Sequence, residues 1–533
     1  MLVRVVLCAI VLAALALRLA LVLPQVHSAV GYLLVNVYGS WGFNLAKFGR
    51  WQLVEDNVLT GLNNTALERK TNIDPADLLR TGFDAMPADN AIINFEQPGP
   101  GYFIGLIWWL TSDYRYVHVL LAQALLDALA SLLAYVVGAR IWGRVGGVFG
   151  ALAYALFLPQ AQLTAYVLYN AWVGPFLLLL LVCILNMPLG RRGLIRNGIL
   201  GGFVVGAGTL FAPTFLPMLF AGVAQIGRVG WKGLTIWLGV GYLTVAAILL
   251  PWSVRNSAMH GEFRPVASAF WWGIYYGLVE QDDSPFGPHG ALEWPNDEGE
   301  VIKFVKERFG PTKPFTREYE AHMRTLVFEA FARDPIYFPK VAAARLAATL
   351  LFAHLTADMS LMTKDVVLKC YEVDSEGRPT AASQAWPCDP VYGSMNPWPK
   401  LTADGLNFLY WIMHLGRLNV IELPYYGPRF SGPIIIGLPI MAAFGIIIAL
   451  LRRRYSALIL AAVALAWICL YAINHIEPRY VAGAQALLAI SALGGIGAAL
   501  GHLGYLVQRQ WRLSAGITGS ARKSVAPSLA QFR

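Results

Sequence analysis

Val5-Val6-Leu7-Cys8-Ala9-Ile10-Val11-Leu12-Ala13-Ala14-Leu15-Ala16-Leu17-Arg18-Leu19-Ala20-Leu21-Val22-Leu23 is an apolar run close to the roughly 20 residues that carry a helix across a bilayer. A second such run, Val117–Val137, follows after a polar segment from Pro24 to Tyr102. That segment concentrates acids: Glu55, Asp56, Glu68, Asp74, Asp77, Asp84, Asp89 and Glu96. It ends in Asn94-Phe95-Glu96-Gln97-Pro98-Gly99-Pro100-Gly101-Tyr102, read as a rigid turn that sets an acid at the membrane surface. Leu21-Val22-Leu23-Pro24 offers no small-residue cleavage site, so the first run reads as a retained helix and not as a signal peptide.

The whole chain agrees with this start. Its 533 residues are 57% hydrophobic and 14% charged, with a mean hydropathy of +0.52. Soluble domains are about 25% charged. The expected class is an all-α polytopic membrane protein. The net charge of +9 resides in short turns and the tail, a positive-inside pattern and not a nucleic-acid surface.

With Arg4 on the cytoplasmic side, Val5–Leu23 runs outward and Val117–Val137 returns to Arg140 and Arg144. Val145–Leu158 goes out to the turn Pro159–Asn170, and Ala171–Asn186 returns to Arg191, Arg192 and Arg196. Gly198–Phe211 and Thr214–Gln225 form an out-and-back pair ending at Arg228 and Lys232. Leu234–Leu250 then exits at Pro251-Trp252. Pro433–Leu451, Ala457–Ile473 and Val481–Leu500 close the chain, with Arg452-Arg453-Arg454 at the inner turn and a disordered cytoplasmic tail expected from Gln508. About ten spans result, or twelve if Val341–Leu355 and Leu406–Val420 also cross; Arg345, His354, His414 and Arg417 favour interfacial helices there.

The expected organisation is therefore an N-terminal membrane module, 1–252, containing the first extracytoplasmic loop, 24–102. A loop region with interfacial or short membrane helices follows at 253–430, then C-terminal membrane helices at 431–507 and a tail at 508–533. The loop region holds the aromatic cluster Phe270, Trp271, Trp272, Tyr275 and Tyr276, and a charged helical stretch from Glu298 to Glu329. Cys8, Cys183 and Cys469 lie in apolar runs as packing residues. Cys370 and Cys388 either close a small disulfide loop or remain two thiols, and no His accompanies them as a zinc ligand.

There is no internal repeat, and few ionisable groups lie in mid-membrane, so the chain does not read as a secondary transporter. Asp127 is the exception, expected to be a satisfied helix-packing residue. Four clusters fall at outward helix ends: Phe95–Tyr102, Tyr166–Asn170, Pro251–Asn256 with His260–Phe263, and Asn474–Tyr480. Arg255 and Arg479 suit bidentate phosphate binding. His475 and Glu477 suit substrate orientation or a metal shell. Glu96, fixed ahead of two prolines, suits a general base or a metal ligand, with Glu55 and Asp56 as less constrained alternatives.

These clusters resemble those of GT-C fold glycosyltransferases, in particular bacterial relatives of protein O-mannosyltransferases and the lipid A aminoarabinose transferases. Tyr38–Arg50 resembles the family's helix after the first span, and Phe95-Glu96-Gln97-Pro98-Gly99-Pro100 its Phe-Glu-Lys-Pro-Pro turn. Leu249–Asn256 with His260–Val266 resembles its Pro-Trp-x-x-Arg-Asn segment, and Glu477-Pro478-Arg479-Tyr480 its Arg-Tyr pair. The resemblance implies inverting transfer of a sugar from a polyprenyl-phosphate donor to a lipid, glycan or protein acceptor, outside the bacterial cytoplasmic membrane. It implies basic groups at the leaving phosphate, in some members with a divalent metal; the cofactor is left open. It also places Asn36, Tyr38, Asn170, Asn256 and Tyr480 among substrate-binding positions. The first-loop acids of the family fall near Leu34 and Asn36, and the second-loop acid at Asn170, none of them carboxylates here. The base is then relocated to Glu96, Glu55 or Asp56, or the chain is a non-enzymatic partner in envelope polysaccharide or lipid assembly.

Overall fold

The computed structural model describes residues 2–25, 42, 45–46, 97–112, 116–165, 169–260, 263, 266, 270–279, 286, 297–312, 317–351, 437–474 and 478–514. The regular structure of these residues is helical. Helix α1 is Leu2–Gln25, α2 Pro98–Thr111, α3 Tyr116–Leu156 and α4 Leu158–Leu163. A 3₁₀ turn, Tyr169–Trp172, leads into α5, Val173–Leu185, and α6, Arg191–Phe211. A long 3₁₀ segment, Pro213–Gln225, precedes α7, Ile226–His260. Then come α8 Phe270–Val279, α9 Asp297–Phe309, α10 Arg317–Arg333, α11 Tyr337–Leu351, α12 Gly437–Leu451, α13 Ser456–Ala472 and α14 Pro478–Ser514.

Five stretches are long and apolar enough to cross a membrane, and three shorter apolar helices accompany them. Two of the five are folded back on themselves. Helix α3 reverses at Gly143, whose φ of 85° suits a residue without Cβ. Its limbs touch where Gly138 meets Gly147. Pro213–Ala258 combines the long 3₁₀ segment with α7, and Gly222 rests on Trp237 between them. At about 2.0 Å per residue a 3₁₀ helix reaches further than an α-helix of equal length, so this 13-residue segment spans a distance an α-helix would not. Counting the two limbs of each folded stretch separately, the described residues hold ten apolar helical segments. The chain is an all-α polytopic membrane protein.

Helix α14 is the axis. Residues 481–490 are buried on every face, as a helix apolar all round must be, and α14 packs against α3, α5, α12 and α13. Small residues set the close crossings: Gly445 on α12 lies against Ser491 and Gly495, and Ser491 Oγ donates to the Ala442 carbonyl at 3.0 Å. A second core joins α8, α9, α10 and the start of α11 around Tyr275, Val301, Tyr319 and Met323. Gly273 of α8 rests on the Asn474 side chain, so this module meets the bundle at the end opposite the basic turns.

Several expectations are corrected. Pro98–Tyr102 is not a turn but the start of α2, with proline at the helix entry where its missing N–H is harmless. The chain does not leave α7 at Pro251; the helix continues to His260. Ser253 Oγ caps the Leu249 carbonyl at 3.0 Å and Ser257 Oγ the Ser253 carbonyl at 2.7 Å, supporting the backbone on both sides of the proline. The charged stretch is two helices, α9 and α10, parted after Gly310, whose φ is 94°. Helix α11 lies against α13 and α12, with Leu346 and Leu350 on the main core. Helix α14 carries Gln508–Ser514, which was expected in the tail. Cys370, Cys388, Leu406–Val420 and residues from 515 lie outside the described residues.

Asp127 is satisfied, as expected, and its partner is the cation embedded in the first span. Arg18 Nε meets Asp127 Oδ2 at 2.5 Å, with both side chains buried. Arg18 Nη1 donates to the Ala14 and Ala155 carbonyls, and Asp127 Oδ1 accepts from Tyr154 Oη at 2.6 Å and Gln160 Nε2 at 2.9 Å. Removing one member of a buried pair typically costs about 3–5 kcal/mol. Arg18→Met is therefore expected to lower the thermal midpoint in detergent sharply. Adding Asp127→Asn should return part of the loss, because a neutral amide oxygen still accepts from Tyr154 and Gln160. No recovery in the double variant would show that the pair is not the source of the effect.

Candidate functional site

The long α7 decides the geometry. Trp252 and Asn256 are one helical turn apart, and both reach the same carbonyl: Trp252 Nε1 donates to Val266 O at 2.9 Å and Asn256 Nδ2 at 3.2 Å. The returning chain is thereby clamped to the helix end. Arg255 lies beside this clamp, its guanidinium 4.8 Å from the Trp252 ring centroid. Its Nη1 donates to Asn256 Oδ1 at 3.1 Å. The buried Asn256 amide thus serves both Val266 and Arg255.

Tyr102 of α2 approaches from the other side, edge-on to Trp252 with centroids 6.3 Å apart. Burial pushes its phenol above the ordinary value, and the Arg255 charge opposes that rise. At neutral pH the pair presents a cation and a phenolic donor together, a combination suited to an anion. Position 99 explains why α2 starts here: Gly99 lies against Phe211, and a Cβ would come within 2.5 Å of that ring.

An aromatic relay continues from this point. Phe103 is 4.5 Å from Trp172, and Trp172 ends the 3₁₀ turn that carries Tyr169 and Asn170. Tyr169 stacks on Tyr480 at 6.0 Å, and Tyr480 on Tyr471 at 5.0 Å. Tyr471 is hydrogen-bonded with Tyr169, and its hydroxyl lies 3.2 Å from Thr214 Oγ1. Trp467 Nε1 donates to the Tyr480 carbonyl at 2.8 Å, fixing the start of α14.

Of the residues singled out in the sequence, the structure therefore brings Arg255 and Asn256 to one end of this relay and Asn170 and Tyr480 to the other. Arg479 is placed on the first turn of α14, one residue before Tyr480. Glu55, Asp56, Glu96, Asn36, Tyr38, His475 and Glu477 lie outside the described residues. Among the described residues, no three His, Cys, Asp or Glu side chains converge as a metal site would require. Sequence reasoning placed Tyr102 in the Phe95–Tyr102 cluster without a role, and missed Tyr471 and the clamp on Val266. The clamp was legible in the four-residue spacing of Trp252 and Asn256, once the helix is continued through Pro251.

No family model matches the chain. Over 226 residues the chain is 27% identical to undecaprenyl phosphate-alpha-4-amino-4-deoxy-L-arabinose arabinosyl transferase 1 of Pseudomonas fluorescens, covering 41% of this chain and 40% of the relative. That relative is a lipid-linked sugar transferase. It falls in the class that the Phe95 and Leu249 segments resemble. Two solved structures of an Archaeoglobus fulgidus oligosaccharyltransferase are also similar. The apo form has a TM-score of 0.45 at 13% identity, covering 95% of this chain and 52% of that one. The form with zinc and sulfate has a TM-score of 0.46 at 13% identity, covering 99% and 52%. The chain spans about half the length of these structures.

Asn256→Leu is expected to destabilise the protein by about 1–3 kcal/mol, the usual cost of orphaning buried hydrogen-bond partners. It should also speed protease cleavage between α7 and α8. Trp252→Phe, which loses one bond, should cost about 1 kcal/mol. Unchanged thermal midpoints and cleavage rates in both variants would contradict the clamp.

Proposed function

We propose that this chain is an integral membrane glycosyltransferase that moves a sugar from a polyprenyl-phosphate donor to a lipid, glycan or protein acceptor. The observation that carries the reading is the Arg255–Trp252–Tyr102 arrangement, held at the end of the bundle away from the basic turns. The match to a lipid-linked arabinosyl transferase supports it.

In this reading the donor phosphate lies at Arg255, whose fixed charge offsets the charge that grows on the leaving phosphate as the bond from the anomeric carbon to phosphate oxygen breaks. The acceptor oxygen attacks the opposite face of that carbon, inverting it, and loses its proton to a carboxylate. Glu96, two residues before α2, is the assigned base, with Asp56 and Glu55 as alternatives. Arg479, Tyr480, His475 and Glu477 are assigned to the donor side from the sequence. Asn256 acts through Arg255 as a positioning residue. The basic turns assign the opposite end to the extracytoplasmic face of a bacterial cytoplasmic membrane.

Transfer of radiolabelled sugar from polyprenyl-phosphate donors by the purified chain tests the assignment. Arg255→Ala and Glu96→Gln are each expected to lower the rate at least about 100-fold, the scale of a lost charge stabiliser or base. Unaltered transfer in both removes the site. Leu34 and Asn36, where the family resembled has acids, favour one other reading, a non-enzymatic partner. Donor binding without any transfer by the wild type would establish that.

A further inference from the structure

We infer that the apolar pocket between α8, α10 and the start of α11 takes up an acyl chain of a phospholipid from the adjoining leaflet, a role that does not depend on the transferase reading. The pocket has a volume of about 240 Å³. Ile274 of α8 and Val327 and Ala330 of α10 are buried walls, and the half-exposed Phe328 and Phe331 form the rim. Its one carboxylate, Asp334, is engaged in the fold: Oδ1 accepts from the backbone N–H of Ile336 at 3.0 Å and of Tyr337 at 3.1 Å, which starts α11.

This lining selects a hydrocarbon. A sugar or a peptide backbone would give up hydrogen bonds to water on entering an almost wholly apolar space. A hydrocarbon has none to lose. Apolar cavities of about 150 Å³ stay dry and take up benzene. At about 30 Å³ for each water-sized group, this larger one has room for roughly eight methylenes.

Position selects a membrane lipid as the source. Phe338 of α11 lines the pocket, and Leu346, two turns further along the same helix, packs on the main core. At about 1.5 Å per residue, roughly 12 Å of helix separates them, which is within the length of one lipid. Phe270, whose ring is 5.1 Å from Trp271, and Ile336 extend the exposed apolar rim, at 63% and 72% exposure. Arg324 and Arg333 flank Phe328 and Phe331 on α10, as cations accompany aromatic rings at the headgroup level. The water-exposed ion pair of Arg308 with Glu329, at 2.6 Å, lies on another face of the same helix. The module is thus apolar and aromatic on one side and charged on another. The gain comes from covering the rim and filling the void, since the chain itself is already in an apolar medium. Acyl chains are the hydrocarbon most abundant at that surface.

The test is photolabelling of the full-length chain in bilayer discs of phosphatidylglycerol and phosphatidylcholine, the latter carrying a diazirine at the end of one acyl chain. Labelled residues are mapped by mass spectrometry. The wild type should be labelled at the pocket walls on α8 and α10 and not at Lys303 and Lys306 of α9. Ala330→Phe, which fills the pocket, should abolish labelling there. Should that variant fail to fold, Phe328→Ser with Phe331→Ser decides: both residues are half-exposed, so the midpoint should stay within about 3 °C of the wild type. Labelling of the walls should fall at least about ten-fold in this double variant. Unlabelled walls in the wild type, labelling of α9 to the same extent, or labelling unchanged in the folded variants overturns the inference. Displacement of the phospholipid label by undecaprenyl phosphate also overturns it, because the occupant is then an isoprenoid and not an acyl chain.

Discussion

The ion pair of Arg18 with Asp127 is the constraint from which the site end of the bundle is built. An apolar medium supplies no water to a buried charge, so each member must find its full set of partners within the protein. Arg18 finds Asp127 and two carbonyls; Asp127 finds Arg18, Tyr154 and Gln160. These partners belong to α1, both limbs of α3, and α4. Gln160 then passes the constraint to Ala171, and so to the turn that carries Tyr169 and Asn170. A side chain in the first apolar run thereby fixes a loop more than 150 positions later.

The opposite side of the same face is held by a different device. There the helix outlasts its proline, and the extra turn presents Trp252, Arg255 and Asn256 in fixed relation. Two donors on one carbonyl leave the returning chain little freedom, and the Trp252 ring gives the Arg255 guanidinium a flat surface. Between these anchors the contacts are aromatic: Tyr102 and Phe103, Trp172, Tyr169, Tyr480 and Tyr471. Rings of this size bury large areas and still keep a polar edge, which suits the end of an apolar bundle.

Much of the architecture was legible. Apolar runs of membrane length separated by basic turns gave the order of the apolar helices, because hydropathy acts on each segment independently of its neighbours. Errors arose where a local rule was applied without its context. Pro251 was read as an exit, but Ser253 and Ser257 support the backbone around it. Pro98 and Pro100 were read as a turn, but a proline at a helix entry removes only an N–H that the helix does not use. Gly143 and Gly222 were not read at all, since a glycine's role depends on what approaches it.

The sequence by itself determined that this is a helical membrane protein, and which end of the bundle gathers Arg255, Asn170 and Tyr480. Only the tertiary structure decided which residues meet there: that Asp127 belongs to Arg18, that Asn256 serves Arg255, and that Asn170 is left with its amide unmatched among the described residues. The physical reason is one of range. Hydropathy and charge are properties of single segments, whereas a hydrogen bond between buried groups requires two distant segments within about 3 Å of each other.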